Sequence, residues 1–251
     1  MPLLTQNSEL KPHHIFNFAI PAWHLRIDGK IFKTCPNAGA CATVCYARNG
    51  SYMFKNVLAA HTRNLMLTLN EPDKFANLIC EELTHRKFQP KGTPRVLPDG
   101  AKVADIWMFG WVSNGGAAVR IHDSGDFYSL DYLRLWFKIA RLNDSVLFYA
   151  YTKEVAMLKE YGHEAPPNFR WLYSTGGIQD DLITDTDRRA DVFANEDAIR
   201  AAGYASQDES DLLAILLPTN LIGIPANNIP RFNKKLAGRR FSELSGKITN
   251  D

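Results

Sequence analysis

The hydrophobic positions change their period along the chain. A short apolar run at 15–22 (IFNFAIPA) predicts a strand ending at Pro21, and 25–32 predicts a connection that pairs as a hairpin. From 53 to 69, Phe54, Val57, Leu58, His61 and Leu65 recur at helical spacing. From 73 to 88, Phe75, Leu78, Ile79, Glu82 and Leu83 do the same, with Cys80 off the centre of their stripe. Residues 90–116 contain Pro90, Pro94, Pro98 and five glycines, which predicts a loop or hairpin with the apolar 106–112 as a strand pair or lid.

Beyond residue 117 the pattern becomes regular. Apolar runs at 118–121, 146–151, 169–173, 190–193, 212–217 and 221–224 read as strands. Between them lie helical stretches. One is capped by Ser129 with Asp131 in its first turn, one covers 154–161 and closes at Gly162, and one is capped by Asn195 and ends at Gly203. Strand followed by helix, repeated, implies parallel strands joined by crossover helices. The expected class is therefore α/β, as an open or partial (β/α) barrel of the TIM type. It forms one domain over 1–251, with a polar, basic tail at 229–251 (Arg231, Lys234, Lys235, Arg239, Arg240, Lys247).

Several strands end in small polar residues. In such a barrel the strand C-termini carry the active face. The segments 35–45, 122–126, Thr152-Lys153, 174–177 and Thr219-Asn220 are then expected at one mouth, and 225–228 ends the last strand.

Composition narrows the function. Apolar residues make up 45% and charged ones 22%, ordinary for a globular chain. A formal charge of +2 makes no electrostatic case for nucleic acid as main partner. No apolar run approaches the roughly 18 residues of a membrane helix, and residues 1–12 lack a basic region followed by an apolar one, so neither a membrane span nor a signal peptide is expected. The expected location is the cytoplasm, where clustered cysteines serve metals or catalysis rather than disulfides.

Three of the four cysteines, Cys35, Cys41 and Cys45, form a Cys-x5-Cys-x3-Cys run in a loop rich in Pro, Gly and Ala. Structural zinc takes four ligands in two close pairs, and no second pair is present; zinc stays open as an alternative metal. Three thiolates can also hold a 4Fe-4S cluster with one iron left open to a ligand, where clusters generally take four. Cys80, alone on a helix flank, reads as a packing residue, and His61, on an apolar face, as a core histidine. The second constellation is Arg120-Ile-His-Asp-Ser-Gly-Asp-Phe127: a strand stops, and two carboxylates and an imidazole follow in a small-residue turn that suits an ammonium or ribose hydroxyl, or simply an Asx turn. Ser174-Thr-Gly-Gly177 allows close backbone approach to a ligand. The aromatic segment Trp107–Trp111 reads as packing, with base stacking the alternative.

Taken together, Phe16-Asn-Phe18, Thr34-Cys-Pro36, Cys41, Cys45-Tyr-Ala47, Val119–Phe127 and Phe148-Tyr-Ala-Tyr-Thr-Lys153 resemble the phage "gene product 88" domain family, over roughly 14–228. The resemblance implies a protein of phages or mobile elements. The order of motifs also resembles radical S-adenosylmethionine enzymes, in which a three-cysteine loop follows the first strand and a Gly-Gly-Glu turn after the second holds the amino group of the methionine moiety. That likeness implies a 4Fe-4S cluster on Cys35, Cys41 and Cys45, with S-adenosyl-L-methionine held by Ser124, Gly125 and Asp126. Ser174, Gly176 and Gly177 would line its nucleoside, and His122, Asp123 and Lys153 would contact substrate. It also implies an electron donor as partner. Two departures stand out: that superfamily's usual spacing is Cys-x3-Cys-x2-Cys, and its acid is Glu, one methylene longer than Asp126. No cysteine follows Cys80, so no second cluster is expected. The rival expectation is a non-enzymatic protein, stapled by metal or cluster, that binds nucleic acid or a host protein. A further rival uses His122, Asp123 and Asp126 for acid–base work without metal.

Overall fold

The computed structural model describes residues 2–226 and 230–244, so Asn227, Asn228 and Lys247 lie outside the described residues. Its strands are β1 (Ile15–Phe18), β2 (His24–Ile27), β3 (Lys30–Lys33), β4 (Ala118–Ile121), β5 (Leu147–Thr152), β6 (Phe169–Ser174), β7 (Arg189–Phe193), β8 (Ala205–Ser206) and β9 (Leu221–Pro225). The helices are α1 (Cys41–Val44), α2 (Lys55–Asn70), α3 (Pro72–Leu83), α4 (Ile106–Asn114), α5 (Leu130–Leu142), α6 (Val155–Tyr161), α7 (Glu196–Ala201), α8 (Leu213–Leu216) and α9 (Pro230–Leu236).

Seven strands form one all-parallel sheet in the order β1-β4-β5-β6-β7-β9-β8. β2 and β3 pair antiparallel as the hairpin expected at 25–32. Parallel strands are buried on both faces, and the apolar residues divide accordingly. Phe16, Phe18, Val119, Ile121, Phe148 and Phe169 face one core, covered by Phe75 and Ile79 of α3, Trp136 and Phe137 of α5, and Val155 and Leu158 of α6. Ile15, Ala118, Leu147, Tyr149, Leu172 and Ile222 face the other, covered by Met108 and Trp111 of α4 and by α8. Each large side chain so buried contributes about 1.5–3 kcal/mol.

Local signals set the helix ends. Ser129 accepts the Tyr132 N–H and Asn195 the Ala198 N–H, as N-caps do. Three expectations change. The apolar 106–112 is helix α4, not a strand pair or lid: Asp105 caps its start through the Met108 N–H, and Gly115, at φ 68°, closes its end. The run at 212–217 is the one-turn helix α8, not a strand. α3 stops at Leu83, short of 88. In α2 the helix is right but its face differs, since Phe54 and Leu58 are exposed while Asn64, Leu65 and Thr68 are buried.

The change at 212–217 moves a further pair. Thr219-Asn220 precedes β9 instead of following a strand, and the Asn220 carbonyl accepts the N–H of Arg189 at the start of β7. These two residues therefore sit at the opposite end of the sheet from the mouth. The polar, basic tail also carries buried apolar residues. Leu236 and Phe241 are buried and pack with Val44, against Cys41. Among the described residues no helix is long and apolar enough to cross a membrane.

Candidate functional site: a seated cysteine loop

The loop 35–45 follows β1 and the β2–β3 hairpin and returns over the C-terminal edge of the sheet. Its first corner is fixed by backbone. The Thr34 and Cys35 N–H groups donate to the Trp23 carbonyl, and the Thr34 carbonyl accepts the Asp126 N–H at 2.9 Å. Its middle lies against the turn after β6. Gly39, at φ 52°, comes so close that a Cβ there would stand 2.7 Å from the Gly177 carbonyl carbon and 2.9 Å from the Gly176 oxygen. The Cys41 N–H donates to the Gly176 carbonyl at 3.1 Å, and the Ile178 N–H to the Asn37 carbonyl at 3.0 Å. The Asp180 carboxylate holds the turn from beneath, accepting the Gly176 and Gly177 N–H groups at 2.7 and 2.9 Å. Ser174–Gly177 therefore has a use that the sequence reading missed: it is the seat of the cysteine loop.

Cys41 and Cys45 are four residues apart on the α1 turn, so their side chains share one side. The Cys45 thiol hydrogen-bonds Cys41, which makes Cys41 the more acidic of the two, helped by the Lys153 ammonium; the same bond and burial push Cys45 up. Burial, with the nearby Asp126 charge, pushes Cys35 up to about 12. Two sulfurs receive backbone donors, the Trp23 N–H on Cys35 at 3.3 Å and the Ala47 N–H on Cys45. All four cysteines are free. Cys80 packs against the first core and accepts an Asn143 N–H.

Asp126 stands beside the cysteine loop, its N–H on the Thr34 carbonyl and its charge near Cys35 and Cys41. Its Oδ1 accepts the Phe127 N–H and the Thr152 hydroxyl at 2.8 and 2.7 Å, and its Oδ2 accepts the Lys153 N–H at 2.9 Å. Burial raises its pKa against these bonds. Ser124 and Gly125 dock the turn on β1's end: the Ser124 hydroxyl donates to the Ile20 carbonyl at 2.6 Å, and Gly125, at φ 90°, lies where a Cβ would strike the Ile20 side chain. Lys153 spends its ammonium on the Ser174 carbonyl, the Ser174 hydroxyl and the Thr175 carbonyl, at 2.9, 2.9 and 2.7 Å. Next to it, buried Glu154 accepts the Asn37 side-chain N–H at 2.7 Å and is pushed up to about 8 by burial and by Asp126. Beside this seat a cleft of about 390 Å³ is lined in part by Thr175, Asp180, Arg189 and Ser242.

Asp123 belongs to a second network. Its carboxylate accepts the Tyr52 hydroxyl at 2.7 Å and lies 3.8 Å from Arg120, and its carbonyl accepts the Tyr46 hydroxyl. Arg120 also pairs with Asp211, which accepts the Tyr149 and Tyr151 hydroxyls. Burial works against the Arg120 charge, but Asp211, Tyr46 and Asp123 outweigh it. His122 joins neither network. At φ 66° it turns into the first core, against Phe127, with Nε2 on the Tyr132 hydroxyl at 3.0 Å. Burial holds its pKa down, to about 3. Its imidazole is therefore expected to stay neutral, with proton NMR shifts unchanged from pH 5 to 8; a titration in that range would show that the ring reaches solvent. Trp111 is buried and donates to the Ala117 carbonyl, and Trp107 donates to the Asp144 carbonyl, so packing accounts for both.

Asn37, Glu154, Asp180 and the Arg120–Asp211 pair were not singled out from the sequence. Glu154 had a signal, as an acid directly after a strand's polar end. Asp211 had none, standing just before a run that reads as a strand.

Among the described residues no three His, Cys, Asp or Glu side chains are placed to share one ion. A single zinc would need its thiolates drawn to about 2.3 Å from one centre. Three soft thiols stand on one loop, two of them with N–H donors on sulfur. Fold and site together define a parallel α/β protein with a thiol-bearing loop seated at the C-terminal edge of its sheet. The family model for gene product 88 matches residues 2–247, and the chain belongs to that family. No curated protein and no solved structure matches it.

Proposed function

We propose that this protein is an iron–sulfur enzyme of the radical S-adenosylmethionine type, with a 4Fe-4S cluster on Cys35, Cys41 and Cys45. One observation carries the reading: three thiols of one loop are held by backbone contacts at the C-terminal edge of a parallel sheet, with the acidic turn at Asp126 beside them. The strand order, which runs one way from β1 to β7, supports the finer reading of the sheet as the wall of a partial barrel, with α4 and α8 then filling its inner side. When bound, the cluster would supply an electron to a ligand on its open iron. The chain's own part is positional. Asp126 ties the Thr34–Cys35 corner to β5, Lys153 ties that edge to the Ser174–Thr175 seat, and the buried N–H groups of Trp23 and Ala47 favour thiolate over thiol. Such chemistry suits the reducing cytoplasm and requires an electron donor as partner.

The test is anaerobic reconstitution with iron and sulfide, followed by spectra with and without S-adenosylmethionine. Wild type and Cys80→Ser should take up iron and sulfide; Cys35→Ser, Cys41→Ser and Cys45→Ser should each lose them. Equal iron in all of these proteins would end the cluster assignment. A specific observation favours the second reading, a cluster-stapled binding protein: both Asp126 and Lys153 are occupied by internal hydrogen bonds. Iron uptake with a spectrum blind to S-adenosylmethionine would select it.

A further inference from the structure

We infer that Glu154, and not Asp126, is the carboxylate that receives the amino group of the bound ligand; this rests on the reading above. Asp126 has donors on both oxygens, two on Oδ1 and one on Oδ2, all from its own chain. The nearby ammonium of Lys153 is spent on Ser174 and Thr175 and does not neutralise Glu154. Glu154 is only 4% exposed; its Oε2 accepts from the side chain of Asn37, two residues along from Cys35, and the Asn37 backbone N–H also bonds the carboxylate. Its Oε1 is buried without a hydrogen-bond partner among the described residues. A buried carboxyl oxygen left without a partner carries a cost. An N–H donor arriving with a ligand removes that cost, so the empty site is destabilised relative to the filled one. The ligand class is an amino-acid-type molecule whose amine reaches the rim between the cysteine loop and the end of β5.

The experiment uses the full chain, anaerobic and iron-loaded. Calorimetry compares S-adenosylmethionine with its analogue lacking the amino group, on wild type and Glu154→Gln. Wild type should bind the analogue about tenfold more weakly or worse; in Glu154→Gln the parent ligand should weaken by a similar factor and the gap between ligands should close. Iron content checks that the variant keeps its cluster, and Glu154→Asp is measured in its place if the amide does not fold. A wild type that does not distinguish the two ligands overturns the inference whatever the variants do. So does a Glu154→Gln protein that keeps the wild-type gap, including one in which an ordered water satisfies Oε1; in both cases the cluster reading survives. Iron uptake without binding of either ligand overturns this inference together with the S-adenosylmethionine reading.

Discussion

Gly39→Ala is expected to unseat the cysteine loop and lower the melting temperature by about 6–12 °C, on the order of 3 kcal/mol. Two costs add. A positive φ disfavours any side chain by about 1–2 kcal/mol. The new methyl then meets backbone on three sides, the Gly177 carbonyl carbon, the Gly176 oxygen and the Ile178 nitrogen, all within 2.9 Å. None of these atoms is the free end of a flexible side chain, so the loop itself must lift. Lifting breaks the Cys41 N–H to Gly176 bond and carries the thiols off their seat. Iron uptake should fall with it. Gly50→Ala is the control: φ there is 58° but nothing lies within 4 Å, so only the conformational cost applies. Equal melting temperatures for the two variants would show that the backbone contact contributes nothing.

Asp126→Asn is expected to destabilise by about 3 kcal/mol in urea unfolding. The amide keeps one acceptor and gains an NH2 group. Placed at the Oδ2 position, that group faces the Lys153 N–H; placed at Oδ1, it faces the Phe127 N–H and a Thr152 hydroxyl whose oxygen already accepts from Glu154 N. Either way a buried backbone donor loses its acceptor. The Thr34 carbonyl is held by the Asp126 N–H, so the Cys35 corner loosens as well and iron uptake should drop. A variant within about 1 kcal/mol of wild type would mean that solvent reaches this carboxylate and replaces its partners.

The parallel α/β class was readable because β4, β5 and β6 are short apolar runs punctuated by small polar residues and separated by amphipathic helices with legible caps. The convergence of Cys35, Cys41 and Cys45 with Asp126 followed from the same regularity, since parallel strands put their ends on one edge. What escaped was mostly apolar on every side. The runs at 106–112 and 212–217 have no polar alternation, so periodicity cannot separate helix from strand in them; only Asp105 and Gly115 marked α4 as a helix. His122 escaped because its left-handed backbone breaks the alternation that would have put it on the face of Ala118 and Arg120, and turns it into the first core instead. Gly176 and Gly177 were legible as a site of close approach. Their partner was not, because nothing local says that the approaching backbone belongs to the chain itself.

The seat and the loop are made far apart in time. Asn37 meets Glu154 across 117 residues, and Thr43 meets Lys235 across 192. A nascent chain leaving the ribosome therefore presents its thiols long before the turn they rest on has been synthesised, and longer still before Leu236 and Phe241 pack against Cys41. During translation the three sulfurs stand fully open to oxidants; in the folded protein each keeps only part of that exposure. On the proposed cluster reading, loading during or soon after synthesis thus meets less obstruction than repair of the finished protein.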